Sequence, residues 1–233
     1  MTAIDKNPIL CELYRDGTVE HPDGRRLLVS GNISLQNSEA LGRCVGVRRP
    51  RFVIEIGMGY GASTLTILSA LSSNGEGRLT SIDPYDGWPA AREVALHQVA
   101  RAGFSHLHEH RQESSFEALP KLLAEGAKPD LVYIDGNHNF AYAFTDFFYS
   151  DKLLGPGGVV AFNDAGWRSV FKVIRFVKKY RHYRELDVGL PRVYPSRNVL
   201  FSLVKRLQGR SSCDRYFEKL DDWEPPYDFH RAF

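Results

Sequence analysis

Residues 53 to 64 read "VIEIGMGYGAST", and the fold turns on how these twelve residues are read. An apolar, β-branched run carries an acid, Glu55, just before its end. Glycines follow at 57, 59 and 61, and small or hydroxyl residues suited to a helix start come next. Glycine at alternate positions lets the backbone turn sharply and approach a ligand with no side chain between them. The helix that follows offers free amides at its N-terminus. Strand, glycine loop and helix, in that order, open a nucleotide-type α/β unit.

Outward from this loop the alternation continues. Short apolar runs at 52–56, 79–82, 107–110, 131–134 and 159–162 read as strands, and longer stretches at 62–72, 90–102, 115–125 and 139–154 read as helices. That order predicts an α/β fold: a doubly wound, Rossmann-like, mostly parallel sheet with helices on both faces. Breaks such as "SSNGEG" and "GPGG" supply the glycines that end helices. Beyond Asp164 a basic amphipathic helix is expected at 169–183. Two strands, near Asp187 and at 198–204, would then add an antiparallel edge hairpin and bring the sheet to seven strands. The last segment, "DRYFEKLDDWEPPYDFHRAF", has little periodicity and reads as a packed tail. The organisation expected is an N-terminal arm and cap at 1–50, the main domain at 51–205 and the tail at 206–233.

Composition narrows the function. A hydrophobic share of 43% and a charged share of 25% are those of a globular protein with a substantial core, which excludes a disordered chain. Neither a leader-like start nor a run of about 18 apolar residues is seen, so a cytoplasmic protein with no membrane partner is expected. Cys11, Cys44 and Cys213 are odd in number and scattered, which suits inert thiols better than a disulfide or zinc framework. A net charge of +2 is weak for a nucleic-acid binder, and the basic stretch Arg175 to Arg184 reads as the solvated face of a helix.

The loop spacing discriminates between ligands. Dinucleotide folds use G-x-G-x-x-G, whereas this chain has E-x-G-x-G-x-G from Glu55 to Gly61. An acid beside the loop would repel a pyrophosphate but help to hold an ammonium group. The next strand ends in Asp83, where a carboxylate can take both hydroxyls of a ribose. This pattern resembles the first motif of class I S-adenosylmethionine-dependent methyltransferases. "LTSIDP" resembles the second motif, and "HRQESSFEALPKL" the third. "PDLVYIDGNHNFAYAFTDFFYSDKLLGPGGVVAFND" is similar to strands four and five of the subgroup containing macrocin O-methyltransferase. The resemblance implies a cofactor set of Glu55, Gly57, Gly59, Gly61, Ser63 and Asp83, with Gln112, Glu113 and Ser114 near the adenine edge. Glu113 departs from the more usual Asp.

Asp135 ends the fourth strand, and Asn163 with Asp164 ends the fifth, so a doubly wound sheet would point all three into the ligand crevice. Their oxygens suit Mg²⁺, and the trio resembles the metal ligands of catechol O-methyltransferase, although here Asn precedes Asp. Capping a helix is the alternative role for Asp135. His138, three residues on, is a candidate proton acceptor or a hydrogen-bonding residue at the helix start. Tyr85 and Trp88 either flank an adenosine or pack within their loop, and the stripe Phe140, Phe144, Phe147 and Phe148 is core.

The function expected is methyl transfer from S-adenosyl-L-methionine to a hydroxyl of a small molecule, a sugar or natural product, with Asp135 and His138 catalytic. An NAD-dependent oxidoreductase and a non-catalytic module keeping the cofactor fold are the competing readings. RNA or protein methylation has only the basic helix in its favour. Self-association into a homo-oligomer is left open, as is the identity of the acceptor.

Overall fold

The computed structural model describes residue 4 and residues 7–29, 31–191 and 213–233. They pack as two compact units that part after Ala118.

The first unit begins with α1 (Pro8–Asp16). The Asn7 side chain accepts from the amides of Ile9 and Leu10, Pro8 opens the first turn, and Gly17 at φ 65° ends the helix. Strands β1 (Thr18–Glu20) and β2 (Arg26–Leu28) form an antiparallel hairpin. Helix α2 (Leu35–Arg48) is capped by Ser34 and leads into β3 (Phe52–Ile56), the glycine loop and α3 (Ala62–Asn74). The unit continues through β4 (Arg78–Ile82), α4 (Pro89–Arg101) and β5 (His108–Arg111) to α5 (Ser115–Ala124), which runs across the boundary. Every residue of β3 is buried, as is every residue of α3 from Ala62 to Leu71. The strand and the helix that position the loop are therefore central and rigid. Helix α2 packs on α3 through the 2.6 Å contact between the Ser38 and Thr66 hydroxyls, and α1 is tied to α3 by Asn7 to Ser69 at 2.8 Å.

The second unit contains β6 (Leu131–Ile134), α6 (Phe140–Leu153), β7 (Val159–Phe162), α7 (Arg168–Tyr180), β8 (Tyr183–Leu186) and β9 (Arg215–Lys219). Helices α6 and α7 meet through Phe144 and Phe147 against Phe176. On α7 the buried positions Val170, Val173, Ile174, Val177 and Tyr180 follow helical spacing, while Lys172, Arg175, Lys178 and Lys179 are exposed. The basic stretch is thus a solvated helix face.

The seven-stranded sheet is mostly parallel. In the first unit the order is β5-β4-β3, all parallel, with Ile56 opposite Ile82 and Ile82 opposite Arg111. In the second the order is β6-β7-β9-β8: β6 and β7 are parallel, with Ile134 opposite Phe162, and β9 is antiparallel to both neighbours. Parallel pairing puts the ends of paired strands at one level, so Gly57 stands beside Asp83, and Asp135 beside Asn163.

The antiparallel edge is present, and β8 is the strand expected near Asp187, but its partner differs from the one expected. The strand expected at 198–204 lies outside the described residues, and β9 falls within the stretch read as an irregular tail. Three of its five residues are charged yet buried. Arg215 pairs with Glu185, Glu218 with Arg184, and the Lys219 ammonium donates to the carbonyls of Asp151 at 2.6 Å and Leu154 at 2.9 Å. Buried charges with partners erase the apolar alternation by which strands are read. After β9 the chain does pack without regular structure, with Phe229 and Phe233 edge-on to Tyr180. No helix among the described residues is long and apolar enough to cross a membrane.

Candidate active site

In the first unit the site begins with three turns at positive φ. Gly57, Gly59 and Gly61 have φ values of 88°, 52° and 89°, a region that side chains adopt at a cost, so the loop shape demands glycine at these turns. Asp83 holds the loop in place. Its Oδ2 accepts from the amides of Met58 at 2.9 Å and Gly59 at 3.0 Å, and its Oδ1 from the amide of Tyr85 at 2.9 Å. A carboxylate has about four acceptor positions, so three bonds leave room for a hydroxyl. Tyr85 adds a second tie that the sequence does not reveal: its hydroxyl donates to the Gly59 carbonyl at 2.7 Å. Tyr85 is thus a buried loop residue, whereas Trp88 is 56% exposed beside Tyr60.

Glu55 lies beneath the loop. The side chain is fully buried, and its Oε2 accepts from Thr64 at 2.7 Å and Ser81 at 2.6 Å. It fastens β3 to α3 and β4 beneath the loop, because a central parallel strand is buried on both faces and leaves its acid no open side. The His108 imidazole lies 3.0 Å from the Ser81 hydroxyl, and burial pushes it down to about 4. Burial also pushes the Glu55 carboxyl up to about 7, against the pull of the Ser63, Ser81 and Thr64 hydroxyls. The folded state therefore binds a proton that the unfolded chain releases near its ordinary value of 4.5, and the Glu55 contribution to stability falls as pH rises from about 4.5 to about 7, opposite in sign to that of His108. Glu55→Gln is expected to remove on the order of 3 kcal/mol of that slope. Chemical denaturation at several pH values checks this, and an unchanged slope would rule out Glu55 as its source.

Ser63, in the first turn of α3, is 4% exposed. Gln112 is exposed and follows β5, whose last carbonyl accepts from the Asp83 amide at 3.2 Å. Glu113 is half-buried. Ser114 opens α5: its carbonyl accepts from Glu117 and Ala118, and its amide donates to the Glu117 carboxylate at 3.4 Å. The loop, Asp83 and the 112–114 segment are thus joined through β4 and β5.

In the second unit β6 and β7 deliver Asp135, His138, Asn163 and Asp164. His138 Nε2 lies 3.0 Å from Asp164 Oδ2, and the His138 ring packs 5.2 Å from that of Trp167. Asp164 has φ 50°. Asn163 is 6% exposed, and its Nδ2 donates to Asp214 Oδ1 at 3.0 Å and to the Tyr133 hydroxyl at 3.2 Å. Tyr133 in turn donates to Asp214 Oδ2 at 2.7 Å. Burial drives the Asp214 carboxyl up to about 7, opposed by the bonds from Tyr133 and Asn163. Asp214 precedes β9 in the stretch read as a tail, so no sequence signal pointed to it.

Among the described residues no three His, Cys, Asp or Glu side chains gather closely enough to hold a metal ion. A metal at the expected trio would have to use the Asn163 amide oxygen. The donor chemistry fits: with Nδ2 committed to Asp214 and Tyr133, Oδ1 is the remaining end, and Asp164 can keep His138 on one oxygen and offer the other.

A family model described as a methyltransferase domain matches residues 54–165. The catechol O-methyltransferase of Niastella koreensis is 32% identical over 110 residues, 46% of this chain and 46% of that protein. Tapetum-specific methyltransferase 1 of Arabidopsis thaliana is 26% identical over 168 residues, 71% of this chain and 67% of that protein. Across the curated relatives compared, the match spans 46% to 67% of their own length. Among solved structures, the Bacillus cereus O-methyltransferase in complex with SAH aligns with a TM-score of 0.60 at 19% identity, covering 82% of this chain and 84% of that one. The O-methyltransferase TomG of Streptomyces achromogenes, in complex with SAM, aligns with a TM-score of 0.58 at 23% identity, covering 81% and 82%. Glycine loop, sheet order and family match converge: residues 54–165 match a methyltransferase domain, and the fold is that of the solved O-methyltransferases compared.

Proposed function

We propose that the protein transfers the methyl group of S-adenosylmethionine to a hydroxyl of a small molecule, with His138 as the proton acceptor. The observation that carries this reading is the 3.0 Å pairing of His138 Nε2 with Asp164 Oδ2, at the ends of adjacent parallel strands. A carboxylate only accepts, so Asp164 favours the tautomer with hydrogen on Nε2 and leaves the Nδ1 lone pair for the substrate proton. The acceptor oxygen attacks the methyl carbon in line. The C–S bond breaks as the O–C bond forms, the sulfonium becomes the neutral thioether of S-adenosylhomocysteine, and the hydroxyl proton passes to His138. Holding the cofactor falls to the glycine loop and Asp83, which the first unit preorganises. The catechol O-methyltransferase and TomG relatives carry the same chemistry in their names, which supports oxygen as the acceptor atom.

Asp135, Asn163 and Asp164 are the residues that would hold a divalent ion, which would act there as a Lewis acid toward a hydroxyl oxygen. Chelation followed by gel filtration is expected to lower turnover at least about tenfold, the equivalent of ~1.4 kcal/mol, with recovery on adding Mg²⁺. Full turnover after chelation would remove the ion from the scheme.

The reading as a whole is tested by calorimetry with S-adenosylhomocysteine and with NAD, and by incubating the protein with methyl-labelled cofactor and a panel of sugars and phenols. Binding of the former alone, with label appearing in an acceptor, is the expected result. Heat with NAD and none with S-adenosylhomocysteine would favour the oxidoreductase reading instead.

A further inference from the structure

We propose that Asp214 is a positioning residue that fixes which end of the Asn163 carboxamide faces the reacting groups. This rests on the function proposed above. The two ends of a carboxamide have nearly the same shape, so its partners decide its orientation. Both partners of Asn163 demand the nitrogen. Both Asp214 oxygens are engaged as acceptors, Oδ1 taking the Asn163 Nδ2–H at 3.0 Å and Oδ2 the Tyr133 hydroxyl. Tyr133 gives its own hydrogen to Asp214 at 2.7 Å, so its oxygen can only accept as well, and it takes Nδ2–H at 3.2 Å. The result is a closed triangle of three hydrogen bonds in which every hydrogen has one destination.

All three members are buried, with Tyr133 fully enclosed, Asp214 3% exposed and Asn163 6% exposed. In such surroundings a misdirected amide would leave a donor or acceptor without a partner, so the alternative orientation is strongly disfavoured. Asn163 Oδ1 is thereby directed away from the triangle, on the residue that stands opposite Asp135 at the ends of β6 and β7 and immediately before Asp164. Geometry assigns Asp214 a role through Asn163 and not toward the substrate. A residue outside the stretch matched by the family model would then set the polarity of a group inside it.

The test uses Asp214→Asn, which keeps the volume but adds a competing N–H2, and the exchanged pair Asp214→Asn with Asn163→Asp. In the wild type with S-adenosylhomocysteine bound, ¹⁵N-asparagine spectra should show slowly exchanging carboxamide protons for Asn163, identified by their loss in Asn163→Asp. Asp214→Asn is expected to lose that protection. Turnover should fall about 10- to 100-fold with KM for the cofactor unchanged, the range typical when a group orienting a site ligand is removed. The exchanged pair restores a donor facing an acceptor and still turns a carboxylate oxygen outward, so its turnover should return to within about threefold of wild type. Should Asp214→Asn fail to fold, the exchanged pair decides alone. Protected Asn163 protons in Asp214→Asn, wild-type turnover in that variant, or an exchanged pair that folds but stays inactive overturns the proposal. Absence of methyl transfer by the wild type would defeat the proposed function, while the spectra would still decide how Asn163 is held.

Discussion

His138→Ala should lose about 10²- to 10⁴-fold in turnover at saturating cofactor, while its affinity for S-adenosylhomocysteine stays within about twofold of wild type. The separation follows from where His138 sits: after β6, paired with Asp164. Asp164→Asn should cost about a hundredfold, since its amide can present a donor where the imidazole needs an acceptor and so reverse the tautomer. In orienting and accepting the proton the two residues act as a unit, so with no ion bound the double variant should be no slower than His138→Ala alone. Rates from methyl-labelled cofactor, with calorimetry in parallel, provide both numbers. Turnover in His138→Ala within about threefold of wild type would remove His138 as the base.

The opposite pattern is expected for Asp83→Ala. Three backbone amides, those of Met58, Gly59 and Tyr85, lose their acceptor together. A hydrogen bond to a charged group contributes about 1.5 to 3 kcal/mol, and with those restraints gone the flexible glycine backbone has several shapes to sample. The dissociation constant for S-adenosylhomocysteine should rise about 100-fold or more, the equivalent of ~2.7 kcal/mol, while turnover at saturation changes only severalfold. Calorimetry measures the first and saturation kinetics the second. An unchanged dissociation constant would show that the loop is organised without Asp83.

The glycine loop and its tie to Asp83 were legible because their geometry leaves few choices of residue. Three turns at positive φ call for glycine, and an acid at the end of the adjacent parallel strand reaches their amides. The role of Glu55 in joining β3 to α3 and β4 was not legible, because spacing locates a residue along the chain without showing which way it faces. In a strand buried on both sides, that information lies in the neighbouring hydroxyls of Thr64 and Ser81. Helix α1 did have a signal, Asn7 followed by Pro8, but its nine residues hold only one turn-and-a-half of apolar pattern, Ile9, Leu10 and Leu13. Strand β9 and Asp214 were not legible at all. Arg215 and Asp214 find their partners, Glu185 and Tyr133, about 30 to 80 positions away, and single-chain periodicity does not reach that far.

The left-handed backbone at Asp164 has a consequence for how this site can change. At φ 50° only glycine, asparagine and aspartate are accommodated at little cost, so the position is confined to short polar side chains or none. Saturation libraries at 164 should therefore yield Asn and Gly as folded but slow variants, and Val and Ile as poorly expressed ones. A glutamate would keep the charge but not the backbone. Evolution toward a longer acid here would first have to rebuild the turn between β7 and α7, which makes this residue a point where the fold, more than the chemistry, sets the available alphabet.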